Sequence, residues 1–397
     1  MSKVPDTFEE LAIKIYSDIP TDYKTIYIAC DTYRDISIKA HERKGRGESQ
    51  KLLIRSDQVR TPADFQLFLC NGDNKERLFE LIEETWIRKK EMLERRVIYF
   101  ARGEVCQKIT CDYVREVRTM KTNHEEADTK IAYLTQHALD NIEDLSHVCI
   151  RSTSGDIDIT VIMVGAFGEN SSTTQIFIDN GTGKNRKNIR IDSSELSDRE
   201  RNALVAFHAM SGNDYVSSFM RKSKKVWRIV VDDEELLDFF CDLGVEELTE
   251  EMYVKAEVFV CRMYGHRRIK KVDELRAVMF WAKLRKSGKV PDLSSLPPCY
   301  SSLKKHTARA HHVAKIWKQA TMPLQQIDAF EESGWFADGS VEWIDKAFPE
   351  EIESLFAEKK IEDDDGFEDV NEEEDDENIE EEEDVDEEDE DNHDPEH

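Results

Sequence analysis

One short stretch, His147 to Phe167, restricts the fold more than any other part of this chain. His147-Val148-Cys149-Ile150 is an apolar run of the buried-strand kind. It stops at the small residues Ser152 to Gly155, and a second apolar run, Ile159 to Phe167, then begins. Asp156 and Asp158 stand at the break. In an open α/β sheet the ligand crevice lies beyond the carboxyl ends of the strands, so these two carboxylates fall where such a sheet binds.

Two further acidic motifs frame this one. Upstream is His124-Glu125-Glu126-Ala127-Asp128-Thr129-Lys130-Ile131, with apolar residues Ile131, Leu134, Ala138 and Leu139 at helical spacing. Asn123 is placed to cap that helix, and Glu126 and Asp128 fall in its first turn, where the helix dipole favours negative charge. Downstream is Ser211-Gly212-Asn213-Asp214-Tyr215. Taken singly, an acidic first turn is ordinary helix punctuation, and Asp-x-Asp after a strand is commonly a loop. Taken together, the carboxylates have the chemistry of a hard-cation site, since Mg2+ and Mn2+ take oxygen ligands. Two such ions about 4 Å apart activate a water and stabilise the leaving oxygen of a phosphodiester.

The order Glu-Ala-acid, Asp-x-Asp after a strand, then Gly-x-Asp-Tyr resembles the PIN-like superfamily in its 5′-nuclease branch, to which flap endonucleases and XPG-type nucleases belong. Over roughly residues 5 to 345 the chain is also similar to a large, often multi-copy group of animal proteins within that superfamily. The resemblance implies a mostly parallel sheet flanked by helices and a metal cluster drawn from Glu126, Asp128, Asp156, Asp158 and Asp214. It adds Asp31, at the end of the apolar run Thr25 to Cys30, as a further metal ligand. The basic helix that follows offers Lys39 and Arg46 as contacts to the scissile phosphate, with Arg43 one turn from Lys39. The gap from Asp31 to Lys39 is one residue longer than the family pattern, and a solvated basic helix face is the plainer reading. The family also carries a central first strand, ending in a metal-binding Asp, ahead of this point. The residues before Asp31 show no such run, so that strand is expected to be missing, either from the sequence as given or from the fold itself.

The formal charge of −30 would argue against a polyanionic partner, but it is unevenly spread. Residues 361–397 hold 25 Asp and Glu and no Lys or Arg; residues 1–360 keep 60 acids against 55 bases, a net of −5. A balanced body can still present a local phosphate-binding face. The acidic run has too little apolar content to offset the entropy of ordering and reads as disordered, a solubilising extension or a rival to nucleic acid for basic stretches, with a basic protein as a further partner. Eight cysteines without CxxC spacing point to reduced thiols rather than a disulfide framework. No signal peptide or membrane-length apolar run is evident, so the expectation is a nuclear or cytoplasmic protein.

Along the chain, Asp6-Thr7-Phe8-Glu9-Glu10 reads as a capped helix start with Leu11, Ile15 and Tyr16 on its apolar face. Residues 48–96 are polar and, by position in the family, stand where a helical arch would cover the site. Lys89 and Lys90 there are candidate nucleic-acid contacts; a surface helix laced by Glu83, Glu84, Glu91 and Glu94 is the alternative. Gln175–Ile178 and Asn188–Ile191 flank Asn180-Gly181, a hairpin turn rather than a phosphate loop, because Gly-Thr-Gly-Lys lacks the Walker A spacing. The run Arg221 to Arg228 carries Lys222, Lys224 and Lys225 as phosphate contacts but none of the glycines of a helix-hairpin-helix turn. Residues 234–319 read as helical, and His306, His311 and His312 are not at zinc-ligand spacing. The expected organisation is a PIN-like domain over 1–232, a helical region over 233–345, and a linker with an acidic tail over 346–397. Two functions remain open: a Mg2+- or Mn2+-dependent nuclease acting on branched or single-stranded DNA, or a catalytically degenerate PIN-like module serving as a nucleic-acid or protein scaffold.

Overall fold

The computed structural model describes residues 4–33, 38, 50–152, 155, 157–169, 173–192, 194–220, 222 and 226–336. Lys39, Arg43, Arg46, Asp156, Lys224, Lys225 and the acidic run 361–397 lie outside them. The chain is α/β, with two mixed sheets. The first has the order β1 (Thr25–Ala29), β2 (Val97–Arg102), β3 (Val105–Ile109), β4 (Val114–Glu116). β1 runs parallel to β2, with Thr25 opposite Val97, and the remaining pairs are antiparallel. The second sheet is β5 (His147–Ser152), β6 (Gln175–Asn180), β7 (Lys187–Arg190), parallel and then antiparallel.

The expectation of a mostly parallel sheet is therefore corrected. Three of the five described pairings are antiparallel, and the spacing explains why. A parallel crossover needs a dozen or more residues, whereas Arg102 is joined to Val105 through Gly103 and Glu104 alone. Gly103 has φ +56°, a left-handed value that a tight hairpin turn requires. β6 and β7 also form a hairpin, as the sequence predicts, but through the six residues 181–186, with Gly181 at φ +80° and a 3-10 turn over Gly183–Asn185, rather than through a tight Asn180-Gly181 turn.

Successive residues of β2 feed opposite faces of the first sheet. Ile98 and Phe100 point into a core shared with α1 (Phe8–Ser17) and α3 (Gly72–Arg88), while Ala101 packs with Tyr133 and Leu134 of α4 (Ala127–Asn141) on the other side. Thr7 caps α1 by accepting from Glu10 N at 3.2 Å, and Glu10 returns a bond to Asp6 N at 3.0 Å. The capped helix start read from this stretch is present, with Thr7 as the cap. The short α2 (Phe65–Leu69) leads into α3. That helix is no arch: Leu78, Leu81, Ile82 and Trp86 are buried, and Trp86 Nε1 donates to Ala12 O at 2.8 Å.

α5 (Asp158–Phe167) lies between β5 and β6, and beyond the second sheet come α6 (Asp198–Ser211), α7 (Trp227–Val231), α8 (Glu234–Asp242), α9 (Glu250–Met263), α10 (Val272–Ser287) and α11 (Tyr300–Lys318). The helical region is present as read, yet residue 232 marks no break in the core. Ile150, Ile178, Phe207, Phe240, Phe259 and Val313 belong to one apolar cluster, in which the Phe207 ring meets Phe240 edge-on at 5.8 Å. Among the described residues no helix is long and apolar enough to cross a membrane.

α8 and α11 meet at Gly244, whose φ is +87° and whose missing side chain makes room for the α11 backbone. A Cβ there would lie 2.7 Å from the carbonyl carbon of Ala314. Gly244→Ala should therefore cost about 2 kcal/mol or more, combining left-handed strain with a backbone clash. Urea unfolding of the variant measures this; a loss under about 0.5 kcal/mol, the range of ordinary surface changes, would mean the helices part without cost.

Candidate functional site

The acidic motif His124–Ile131 and the end of β1 are built together. Thr32 N donates to Glu125 O at 2.7 Å, and Asp31 Oδ1 accepts from Ala127 N at 2.9 Å. Asp31 thus caps α4 from a separate strand, satisfying an N–H that the helix itself leaves unpaired. Asn123, expected to cap this helix, does something else. Its side chain exchanges two hydrogen bonds with the Gln325 backbone, at 2.8 and 2.9 Å. His124 follows it, donating from Nε2 to Met322 O at 2.7 Å and bonding Thr129 Oγ1 at 3.0 Å. Burial holds the His124 imidazole below its ordinary pKa. The motif is pinned to the segment that follows α11.

Lys130 lies beneath this junction, fully buried. Its ammonium donates to Cys30 O at 2.7 Å, Thr32 Oγ1 at 3.2 Å and Gly103 O at 3.2 Å. One side chain therefore ties the exit of β1, the β2–β3 turn and the start of α4 together.

Glu126 faces the other way and accepts a hydrogen bond from the Tyr215 hydroxyl. The Tyr215 phenol is held well above its usual pKa, first by burial and then by the negative charges of Glu126, Glu125 and Asp31. Glu126 alone bonds the phenol; Glu125 and Asp31 act on it through their charge. The motif Gly212-Asn213-Asp214-Tyr215 supplies the turn that aims it. Asn213 Oδ1 accepts from Tyr215 N at 2.9 Å and Val216 N at 3.2 Å, and Gly212, at φ +119°, lies where a Cβ would strike Ser218. Asp214 itself is exposed, and Asp128 is partly buried in the first turn of α4.

Asp158 opens α5 and accepts from His208 Nε2 at 2.6 Å. His208 is buried in α6, and its ring lies 5.6 Å from that of Trp317. A cavity of about 520 Å³ lies alongside, with Glu125, Glu126, Thr129 and Tyr215 among its polar lining and Val313, Ile316, Trp317 and Phe330 among its apolar lining. Glu125 Oε1 is buried there with no hydrogen-bond partner among the described residues.

The donor chemistry suits a hard cation, but the geometry described does not complete a site for one. Among the described residues no three His, Cys, Asp or Glu side chains come together so as to hold a metal ion. Carboxyl oxygens of Asp31, Glu126 and Asp158 are instead spent on a backbone amide, a phenol and an imidazole.

Of the basic candidates, Lys89 pairs with Glu9 at 3.0 Å, and Lys90 donates to the carbonyls of Cys111 and Asp112, both at 2.8 Å. Their neighbour Arg88 is bound to Glu9 and Asp57. This stretch fastens α3 to the body. Lys222 sits over the Tyr264 ring at 4.4 Å, its pKa lowered by burial and by Lys283.

No family model, curated protein or solved structure matches this chain. The site is read from its own geometry.

Sequence reasoning left Lys130, His208 and Tyr215 without roles. Two of them carried a signal. Lys130 shares the inward helical face of Leu134 and Ala138, and His208 interrupts the apolar run Ala206, Phe207, Ala209, Met210. A polar group in such a place requires a buried partner.

Proposed function

We propose that this chain is a nucleic-acid-binding module on a PIN-like, nuclease-related α/β frame, with an acidic cleft organised by protein donors rather than by a divalent cation. The observation that carries this reading is that three carboxylates of the cleft each already accept a hydrogen bond from the protein itself. Tyr215 holds Glu126, His208 holds Asp158, and the α4 amide of Ala127 holds Asp31. Carboxylates so engaged fix the ends of β1, α4 and α5 against one another, which is a structural task. The nuclease-like arrangement supports the ancestry: Asp31 and Asp158 lie beyond strands that begin parallel pairings, as ligand sites of open α/β sheets do.

The second reading is an active Mg2+- or Mn2+-dependent nuclease on branched or single-stranded DNA. The negative charge that Glu126, Glu125 and Asp31 exert on the Tyr215 phenol favours it, because negative charge suits a cation. The test is cleavage of a labelled flap and a labelled hairpin with Mn2+ present, comparing the native chain with Asp156→Asn/Asp158→Asn. The expected result is no cleavage that the double substitution changes. Cleavage lost by a hundredfold or more in the double variant would establish the nuclease and overturn the donor-organised cleft.

A further inference from the structure

Each sheet has two edges, and in each only one is defended. β4 is three residues long and carries Arg115 and Glu116, and β7 reads Lys187-Asn188-Ile189-Arg190. Short length and charge are how exposed edges avoid pairing with other chains. The opposite edges are built differently. β1 reads Thr25-Ile26-Tyr27-Ile28-Ala29 and β5 carries Val148-Cys149-Ile150, with no Lys, Pro or bulge in either. Near-continuous apolar runs of this kind belong to strands inside a covered parallel sheet. Yet β1 pairs only with β2, and β5 only with β6. Among the described residues no ladder hydrogen bond reaches the other side of residues 25–29 or 147–151.

The two undefended edges share a direction and a roof. The end of β1 meets the start of α4, where Asp31 takes the Ala127 amide, and the Tyr27 hydroxyl bonds His137 near the other end of that helix at 3.0 Å. β1 therefore runs antiparallel to α4. β5 follows α4 through residues 142–146, so it starts at the C-terminal end of the helix and runs back along it. β1 and β5 are consequently parallel to each other. α4 covers both: Tyr133 and Leu134 share a core with Tyr27 and Ala29, while Ala132 and Leu139 share one with Val148 and Ile150. Below the helix the Tyr23 phenol reaches across from the entry of β1. It lies close enough to the Cys149 thiol for that neighbour to be the main reason its pKa is raised to about 12. Paired strands stand about 4.8 Å apart and bond through their backbones; here a long side chain spans the interval instead.

We infer that the slot between β1 and β5 receives one extended apolar segment of a partner protein, parallel to both strands and hydrogen-bonded to both. Backbone complementarity selects the occupant, because only an extended chain meets two parallel ladders at once. Its paired length is five to six residues, the lengths of β1 and β5. Its side chains toward α4 are apolar, as the helix face above them is. Residues 1–397 hold no spare strand of this kind: no stretch outside the described residues has four apolar residues in succession. Docking joins the two sheets into one, a binding role separate from any ligand of the acidic cleft.

The experiment is hydrogen–deuterium exchange of the full chain, read by mass spectrometry, with and without a synthetic peptide. The peptide has six alternating valines and alanines, with two lysines at each end for solubility, and is supplied at about 1 mM to fill even a site of millimolar affinity. Without it, residues 25–29 and 147–151 should exchange faster than β2 and β6, as open edges do. With it, both segments should slow together by at least tenfold. N-methylation of alternate peptide amides removes the donors along one side and should abolish the effect. Cys149→Lys puts a cation at an exposed position of the slot wall. It should weaken peptide binding at least tenfold, while the urea midpoint and far-UV spectrum stay native. Slowing in one strand alone, or in neither, overturns the inference, and so does a Cys149→Lys chain that binds as well as the native one. Protection of both strands before peptide is added overturns it too. Sedimentation then tells a second copy, seen as a dimer, from cover by the chain's own residues, seen as a monomer.

Discussion

Acidification from pH 6.5 toward pH 4 should unfold this protein well before its carboxylates are neutralised. Three histidines of α11 cause it. His306, His311 and His312 all titrate near 4 in the folded chain, burial being the main cause for each. His306 donates to Met210 O at 2.8 Å, and His311 Nδ1 accepts from Gly244 N at 3.1 Å, a bond that protonation destroys. The unfolded chain takes up these protons near pH 6.5. Between the two values it binds up to three more protons than the folded state, so stability falls as the pH falls. The contribution is complete above pH 6.5 and is lost through the window down to about pH 4. Three protons correspond to a slope of up to about 4 kcal/mol per pH unit, against a total stability of roughly 5–15 kcal/mol. Asp328, which raises both His311 and His312, offsets part of this. Urea midpoints at pH 7.5, 6.0 and 5.0 measure the slope. His306→Gln keeps a donor for Met210 O and should remove about one third of it. Stability that stays flat from pH 7.5 to 5 would show that these imidazoles reach water in the folded state.

The strands were legible because their apolar runs are short and bounded by turn residues; β1, β5 and β6 all start where the pattern places them. Their pairing was harder to see. A mostly parallel sheet followed from resemblance, while the two-residue link from Arg102 to Val105 already demanded a hairpin. The arch expected over residues 48–96 failed for a related reason. Leu78, Leu81, Ile82 and Trp86 recur at core-helix spacing, and that local signal was the physical one. In the cleft, Asp31, Glu126 and Asp158 were legible as residues that matter. What each touches was not, because the partners Ala127, Tyr215 and His208 are set by contacts 50 to 96 positions apart. Local pattern identifies a buried polar group; tertiary packing alone identifies what satisfies it.

Lys130→Met should be among the most damaging single changes in the chain. Methionine has nearly the length of lysine and fits the apolar stem, so the loss is confined to the ammonium. Its removal leaves Cys30 O, Gly103 O and Thr32 Oγ1 without that donor at a fully buried point. A buried acceptor left unsatisfied costs about 1–3 kcal/mol, which puts the whole change at roughly 3–5 kcal/mol after partial relaxation. Lys130→Gln keeps two donors and should recover part of the loss, which separates hydrogen bonding from packing. Urea unfolding at pH 7.5 provides the comparison. A methionine variant within about 1 kcal/mol of the native chain, the net value of one typical hydrogen bond, would mean that water replaces the ammonium and that the junction is not sealed. The expected damage reaches the cleft as well. Lys130 fixes the exit of β1 against α4, and through that contact Asp31 meets Ala127 and Glu126 meets Tyr215. In whatever fraction of the methionine variant stays folded, the Tyr215 phenol should therefore titrate lower than in the native chain, because both burial and the three carboxylates around it relax together.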